Sequence, residues 1–116
     1  MSITLTIPGR LPSLNETLRM HWGKRKRIKE DMAWHLATSG RPRPAHGRRC
    51  RVKLTVYQKT RRFDEDNLHG ACKPVIDALR ATGYIYRDSP EWLEQEMRQA
   101  LDHKNPRVEI ELEELA

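Results

Sequence analysis

The 116 residues, 37% hydrophobic and 33% charged, suit a single domain over 1–116 with a modest core and leave too little apolar area for two. The net charge of +6 is split: residues 1–62 carry 16 Lys or Arg against 3 Asp or Glu, and residues 63–116 carry 6 against 13. No apolar run approaches the ~20 residues of a membrane helix, and the start lacks the basic region of a secretion signal, so the expectation is a cytoplasmic protein with no membrane partner.

Ser2 to Ile7 alternates, with Ile3, Leu5 and Ile7 on one face, and predicts a half-buried strand ended by Pro8-Gly9. Pro12-Ser13 marks a loop. Residues 24–38 predict a helix on the stripe Ile28, Met32, Leu36, with Lys24, Arg25, Lys26, Arg27 and Lys29 left for solvent or a ligand. Ser39-Gly40 stops it. The stretch 41–49 holds two prolines and four arginines, and reads as a basic loop able to clasp phosphate or as a plain connector.

Arg51 to Tyr57 predicts a second strand, with Val52, Leu54 and Val56 inward. A helix follows over about Leu68 to Ala81, its apolar stripe Leu68, Cys72, Val75/Ile76 and Leu79, its stop Gly83. Pro74 inside it predicts a start just before the proline or a kink there. Tyr84-Ile85-Tyr86 is a short apolar piece. Trp92 to Leu101 fits a helix by composition and a strand by alternation of Leu93, Gln95, Met97, Gln99 and Leu101. Arg107 to Leu112 is a clear third strand, and His103 to Pro106 sits where a hairpin would turn. The fold class expected is α/β (α+β): a mixed, mostly antiparallel sheet with two main helices on one face.

The basic half points to a polyanion partner, the plainer reading being a solvated basic face. Cys50 and Cys72 lie far apart and predict free thiols, and the five histidines show no zinc spacing with them. Asp64 and Asp66 are the candidate metal ligands. At the end of a strand, positions i and i+2 point the same way, and two converging carboxylates suit a hard divalent cation such as Mg2+. Asp88 is a third, brought alongside if Tyr84–Tyr86 is a strand. Helix capping by Asp66 or Asn67 is the ordinary alternative. Arg61-Arg62 directly before the pair places phosphate-binding cations beside the carboxylates, the combination phosphodiester hydrolysis needs. Lys73 and Asp77 are either a surface ion pair or a lysine aimed at the carboxylates.

The segment Asp64-Glu65-Asp66-Asn67-Leu68, then Lys73 four residues before Asp77-Ala78-Leu79, then Gly83 and Asp88, resembles the core of RusA-type Holliday-junction resolvases. The stretch between Leu68 and Lys73 is longer here than in the family's best-known member. The resemblance implies a homodimeric endodeoxyribonuclease of DNA recombination and repair, familiar from phages and prophages, that cuts four-way DNA junctions symmetrically. It implies Mg2+, with Mn2+ as a substitute, no organic cofactor, metal-binding Asp64, Asp66 and Asp88, and a catalytic Lys73. It also implies that 93–101 is a strand paired with 107–112. Arg61, Arg62, Lys24 to Arg27, Arg48 and Arg49 are the expected contacts to the DNA backbone. Alternatives are a non-catalytic nucleic-acid-binding module and a nuclease for other branched DNA.

Overall fold

In chain order the elements are β1 (Ser2–Pro8), α1 (Leu14–Arg19), α2 (Trp22–Ala37), β2 (Cys50–Gln58), α3 (Glu65–Ala81), β3 (Leu93–Leu101) and β4 (Arg107–Glu114). They come from a computed structural model that describes residues 1–60 and 62–115. The strands form one mixed sheet in the order β1-β4-β2-β3. The β1–β4 and β4–β2 pairs are antiparallel, and β2–β3 is parallel.

Alternation works as expected in three strands. Ile3, Leu5 and Ile7, then Val52, Leu54 and Val56, then Val108, Ile110 and Leu112 are all buried on one face of the sheet. The helices supply the opposing layer: Met32 and Leu36 from α2, and Leu68, Ala71, Cys72, Val75, Ile76 and Leu79 from α3. Cys50 and Cys72 are free and buried, and burial pushes the Cys72 thiol up to about 12. The α+β class, with a mixed sheet under helices, is as the sequence indicates.

Three expectations are corrected. Residues 93–101 do form a strand, but β3 pairs with β2 and not with β4. Residues 102–106 therefore join strands on either side of β2 rather than turning a hairpin. The stronger apolar strand took the central slot: β4 buries Val108, Ile110 and Leu112, whereas β3 buries only Leu93 and lies at the sheet edge. The second correction is α3, which starts at Glu65, nine residues before Pro74. Its buried stripe runs straight past the proline, and the residue four back, where a proline ring crowds the backbone, is Gly70. The third is Tyr84–Tyr86, which is not a strand. Tyr84 is instead a plug. Its ring is fully buried, and its hydroxyl lies 2.7 Å from Ser39 Oγ and donates to the Leu36 carbonyl at 3.1 Å. Gly83, at φ 84°, supplies the left-handed turn that ends α3.

Gly70 also seats α1. A Cβ there would lie 2.6–2.9 Å from three carbons of Leu14. Gly70→Ala gains about 1 kcal/mol of helix propensity but overpacks a contact costing about 1–3 kcal/mol. The expected result is a net loss of up to about 2 kcal/mol, read as a lowered denaturation midpoint.

Candidate nucleic-acid interface and carboxylate site

The outer face of the sheet is a charge ladder. Register places Arg51 between Glu94 and Glu113, and Lys53 between Glu96 and Glu111. Arg51 Nε donates to Glu94 at 2.9 Å, Arg49 reaches the same carboxylate at 3.2 Å, and Lys53 lies 3.7 and 3.8 Å from Glu96 and Glu111. The carboxylates of the second half thus neutralise part of the basic first half. Arg49 also donates to the Glu91 carbonyl, and Arg48 lies 3.9 Å from Glu114. Arg48 and Arg49, two of the arginines expected at DNA, thus have partners within the protein.

The cations of α2 are different. Among the described residues, Lys24, Arg25, Arg27 and Lys29 have no acidic partner within 4 Å, and Lys26 has only Glu30 at 3.9 Å. All five lie on the helix layer, on the side of the sheet away from the charge ladder. Sequence reasoning passed over Trp22, which opens this helix and is 65% exposed. It shares a stripe with Lys26 and Lys29, at i+4 and i+7. Trp34, 60% exposed, instead follows Glu30 and Asp31 by one turn. A polyanion whose bases need a stacking surface would favour the first. The readable signal was an aromatic residue two positions before a run of four cations.

Beside the start of α3 lies a cleft of about 530 Å3, lined by Arg10, Gln58, Lys59, Arg62, Asp64 and Asn67 among others. Its floor is tied down by Gln99 of β3, which accepts from the Phe63 N–H at 2.9 Å and donates to the Phe63 carbonyl at 2.7 Å. A wall comes from α1. Ser13 and Glu16 form a capping box there, and Arg10 grips Glu16 with two hydrogen bonds of 2.8 and 2.6 Å. The Arg10 bonds, above all, hold the Glu16 carboxyl at about 2. The box Ser13-x-x-Glu16 is the legible sign of α1, a helix that the strand-and-stripe pattern alone does not predict.

The expected carboxylate site is only partly assembled. β2 ends at Gln58, so Asp64 and Asp66 do not share a strand face. Asp64 caps α3: Oδ1 accepts from the Asn67 N–H at 2.9 Å, and Oδ2 from Asn67 Nδ2 at 3.1 Å. Capping is thus performed by Asp64 rather than by Asp66 or Asn67. Asp66 is the second residue of the helix and, among the described residues, has no hydrogen-bonding or ionic partner. Asp88 sits in the turn region after α3 and accepts from Lys73 Nζ at 2.7 Å, while Lys73 also lies 3.2 Å from Asp77. The hydrogen bond to Asp88 raises the Lys73 pKa, and the same bond lowers that of Asp88. Arg62 lines the cleft, and Arg61 lies outside the described residues.

Among the described residues, no group of three or more His, Cys, Asp or Glu stands close enough to hold a metal ion. The donor chemistry nonetheless fits a hard cation. Mg2+ takes one or two carboxylates and completes its shell with phosphate oxygens and water; Asp64 lines the cleft as the cap of α3, and Asp66 follows in the first turn of that helix. Asp88 is engaged through Oδ2 by Lys73 and stands in no such group with Asp64 and Asp66 among the described residues.

No protein-family model matches the chain, and no curated protein matches it. Among the described residues no helix is long and apolar enough to cross a membrane.

Proposed function

We propose that this chain is a metal-dependent endodeoxyribonuclease that cuts four-way DNA junctions in recombination and repair, working in the cytoplasm as a homodimer. The supporting observation is the separation of charge. Cations on the sheet are paired with carboxylates, while among the described residues Lys24, Arg25, Arg27 and Lys29 of α2 have no acidic partner, and a cation-lined cleft opens beside Asp64. The resemblance of the Asp64–Asp88 segment to junction resolvases adds the reaction and the substrate.

In this reading Lys24 to Arg27 and Lys29 hold the phosphate backbone, and Arg62 with Lys59 draws one strand into the cleft. Asp64, Asp66 and Asp88 would hold Mg2+ or Mn2+, which supplies water activation and neutralises charge on the phosphate. Lys73 pairs with Asp88 and, once released from it, places a compact positive charge where negative charge develops on the leaving oxygen. Two symmetric cuts need two active sites, which a two-fold dimer provides.

A second reading is a non-catalytic nucleic-acid-binding module. Capping accounts for Asp64, and the Lys73 pair accounts for Asp88, without chemistry. Lys73→Ala separates the two. The nuclease reading expects turnover in a preformed complex to fall far more than affinity, since one lysine among 22 basic residues adds little to binding. The binding-module reading has no turnover to lose.

Binding itself is tested by titrating a labelled four-way junction against an unlabelled linear duplex at several salt concentrations. Log affinity should fall against log salt by roughly 0.9 per phosphate contact, with the junction outcompeting the duplex. A flat salt response removes the polyanion partner, and equal competition removes the junction preference.

A further inference from the structure

Gln58, the last residue of β2, is 3% exposed, and its side-chain Nε2 has no hydrogen-bond partner among the described residues. A buried amide donor left unmatched destabilises the protein that carries it, because the water it gave up is not replaced. Such a group calls for a partner outside the folded chain, an ordered water or a bound ligand. The surroundings name the kind of ligand. Gln58 lines the cleft of about 530 Å3 together with Arg10, Lys59 and Arg62, three cations, beside the Asp64 cap. Arg10 is held by Glu16, whereas Lys59 and Arg62 have no acidic partner within 4 Å among the described residues. A neutral donor at the back of a cleft with cations around it fits an anionic oxygen.

We propose that Gln58 is a positioning residue whose Nε2, shut off from solvent in the free protein, turns toward the cleft to donate to a non-bridging oxygen of a DNA phosphate bound there, with Lys59 and Arg62 supplying the charge. The phosphate chemistry follows from the cleft; its assignment to DNA rests on the nuclease reading above. The step is a hydrogen bond alone, with no bond made or broken in the ligand. A neutral donor adds little long-range attraction, so Gln58 sets where the phosphate stops rather than how strongly DNA is drawn in. A glutamine at the end of an alternating strand carries no local signal of such a role, which depends on its buried surroundings.

The test is Gln58→Met, which keeps length and approximate volume and removes the donor. The unmatched donor disappears from the free protein, so the melting temperature should rise by roughly 3–6 °C. Junction affinity should fall roughly 10-fold or more, the scale of a hydrogen bond to a charged group, with the salt slope unchanged. Inorganic phosphate titrated into the wild type should shift the Gln58 side-chain amide resonance, while that of Gln95 on the exposed part of β3 stays put. A melting temperature that stays level or drops in Gln58→Met means the donor is satisfied within the free protein and overturns the proposal. Unchanged junction affinity, or a Gln58 amide insensitive to phosphate, overturns it equally. If phosphate shifts Gln58 but the protein cuts no DNA, the nuclease reading fails and the phosphate site stands.

Discussion

Replacing Lys24, Arg25, Lys26 and Arg27 together by glutamine is expected to weaken junction binding between about 100- and 1,000-fold near physiological salt. Three or four phosphate contacts, each releasing about 0.9 of a counterion, account for that range, and the log–log salt slope should flatten by about 3. The fold should be untouched. Glutamine matches lysine and arginine in helix propensity, and the buried positions of α2 are Met32 and Leu36. The control is Arg49→Gln. Arg49 is engaged by Glu94 and by the Glu91 carbonyl, so its loss should change affinity only a few-fold. Equal effects from the two changes would mean that ion pairing within the protein does not decide which cations meet DNA. Titration of the labelled junction by anisotropy, repeated across salt concentrations, reads both quantities at once.

Asp66→Asn is expected to abolish cleavage while junction binding persists or tightens. Asp66 is the one member of the three aspartates left without a partner among the described residues, and asparagine removes its charge while keeping its shape. The helix start survives, because the cap is Asp64 and its bonds to Asn67 remain. Loss of one acidic residue from the first turn costs about 0.3–1 kcal/mol, too little to unfold the domain. Asp64→Asn is a useful companion, since asparagine caps as well as aspartate and any loss of cutting would then report on charge rather than folding. Single-turnover rates in Mg2+ measure both. Cutting by Asp66→Asn near the wild-type rate would show that these carboxylates are helix-start residues and nothing more.

Particular residues show where the sequence was legible. Ile3, Leu5 and Ile7, or Val108, Ile110 and Leu112, alternate because one face of each strand meets the helices and the other meets water. β3 was ambiguous for the opposite reason. It has one buried apolar residue, and it is held by pairing with β2 and by carboxylates facing Arg51 and Lys53, neither of which is local. Its inward Gln99 looks misplaced in a strand until Phe63 is seen to use both ends of the amide. Pro74 misled because local propensity was set against a helix whose buried stripe extends on both sides of it. In the site, residue types were readable and availability was not. Arg49 and Lys24 look alike in the chain, and only the fold shows that one faces Glu94 while the other has no acidic partner among the described residues. Likewise Asp-x-Asp reads as a converging pair if the backbone is extended, and as a cap followed by a first-turn residue if a helix begins there. The helix begins there.

Hydrolysis of DNA at branch points with the help of a divalent ion is the function we propose. Its most direct test is a single-turnover reaction of the wild-type protein with an end-labelled four-way junction, in Mg2+ and in EDTA, beside a linear duplex of the same sequence. Paired, symmetrically placed cuts are expected in the junction with Mg2+, none in EDTA, and an intact duplex. A junction that is bound at saturation yet stays whole in both Mg2+ and Mn2+ would contradict it, and would leave a DNA-binding domain in place of a nuclease.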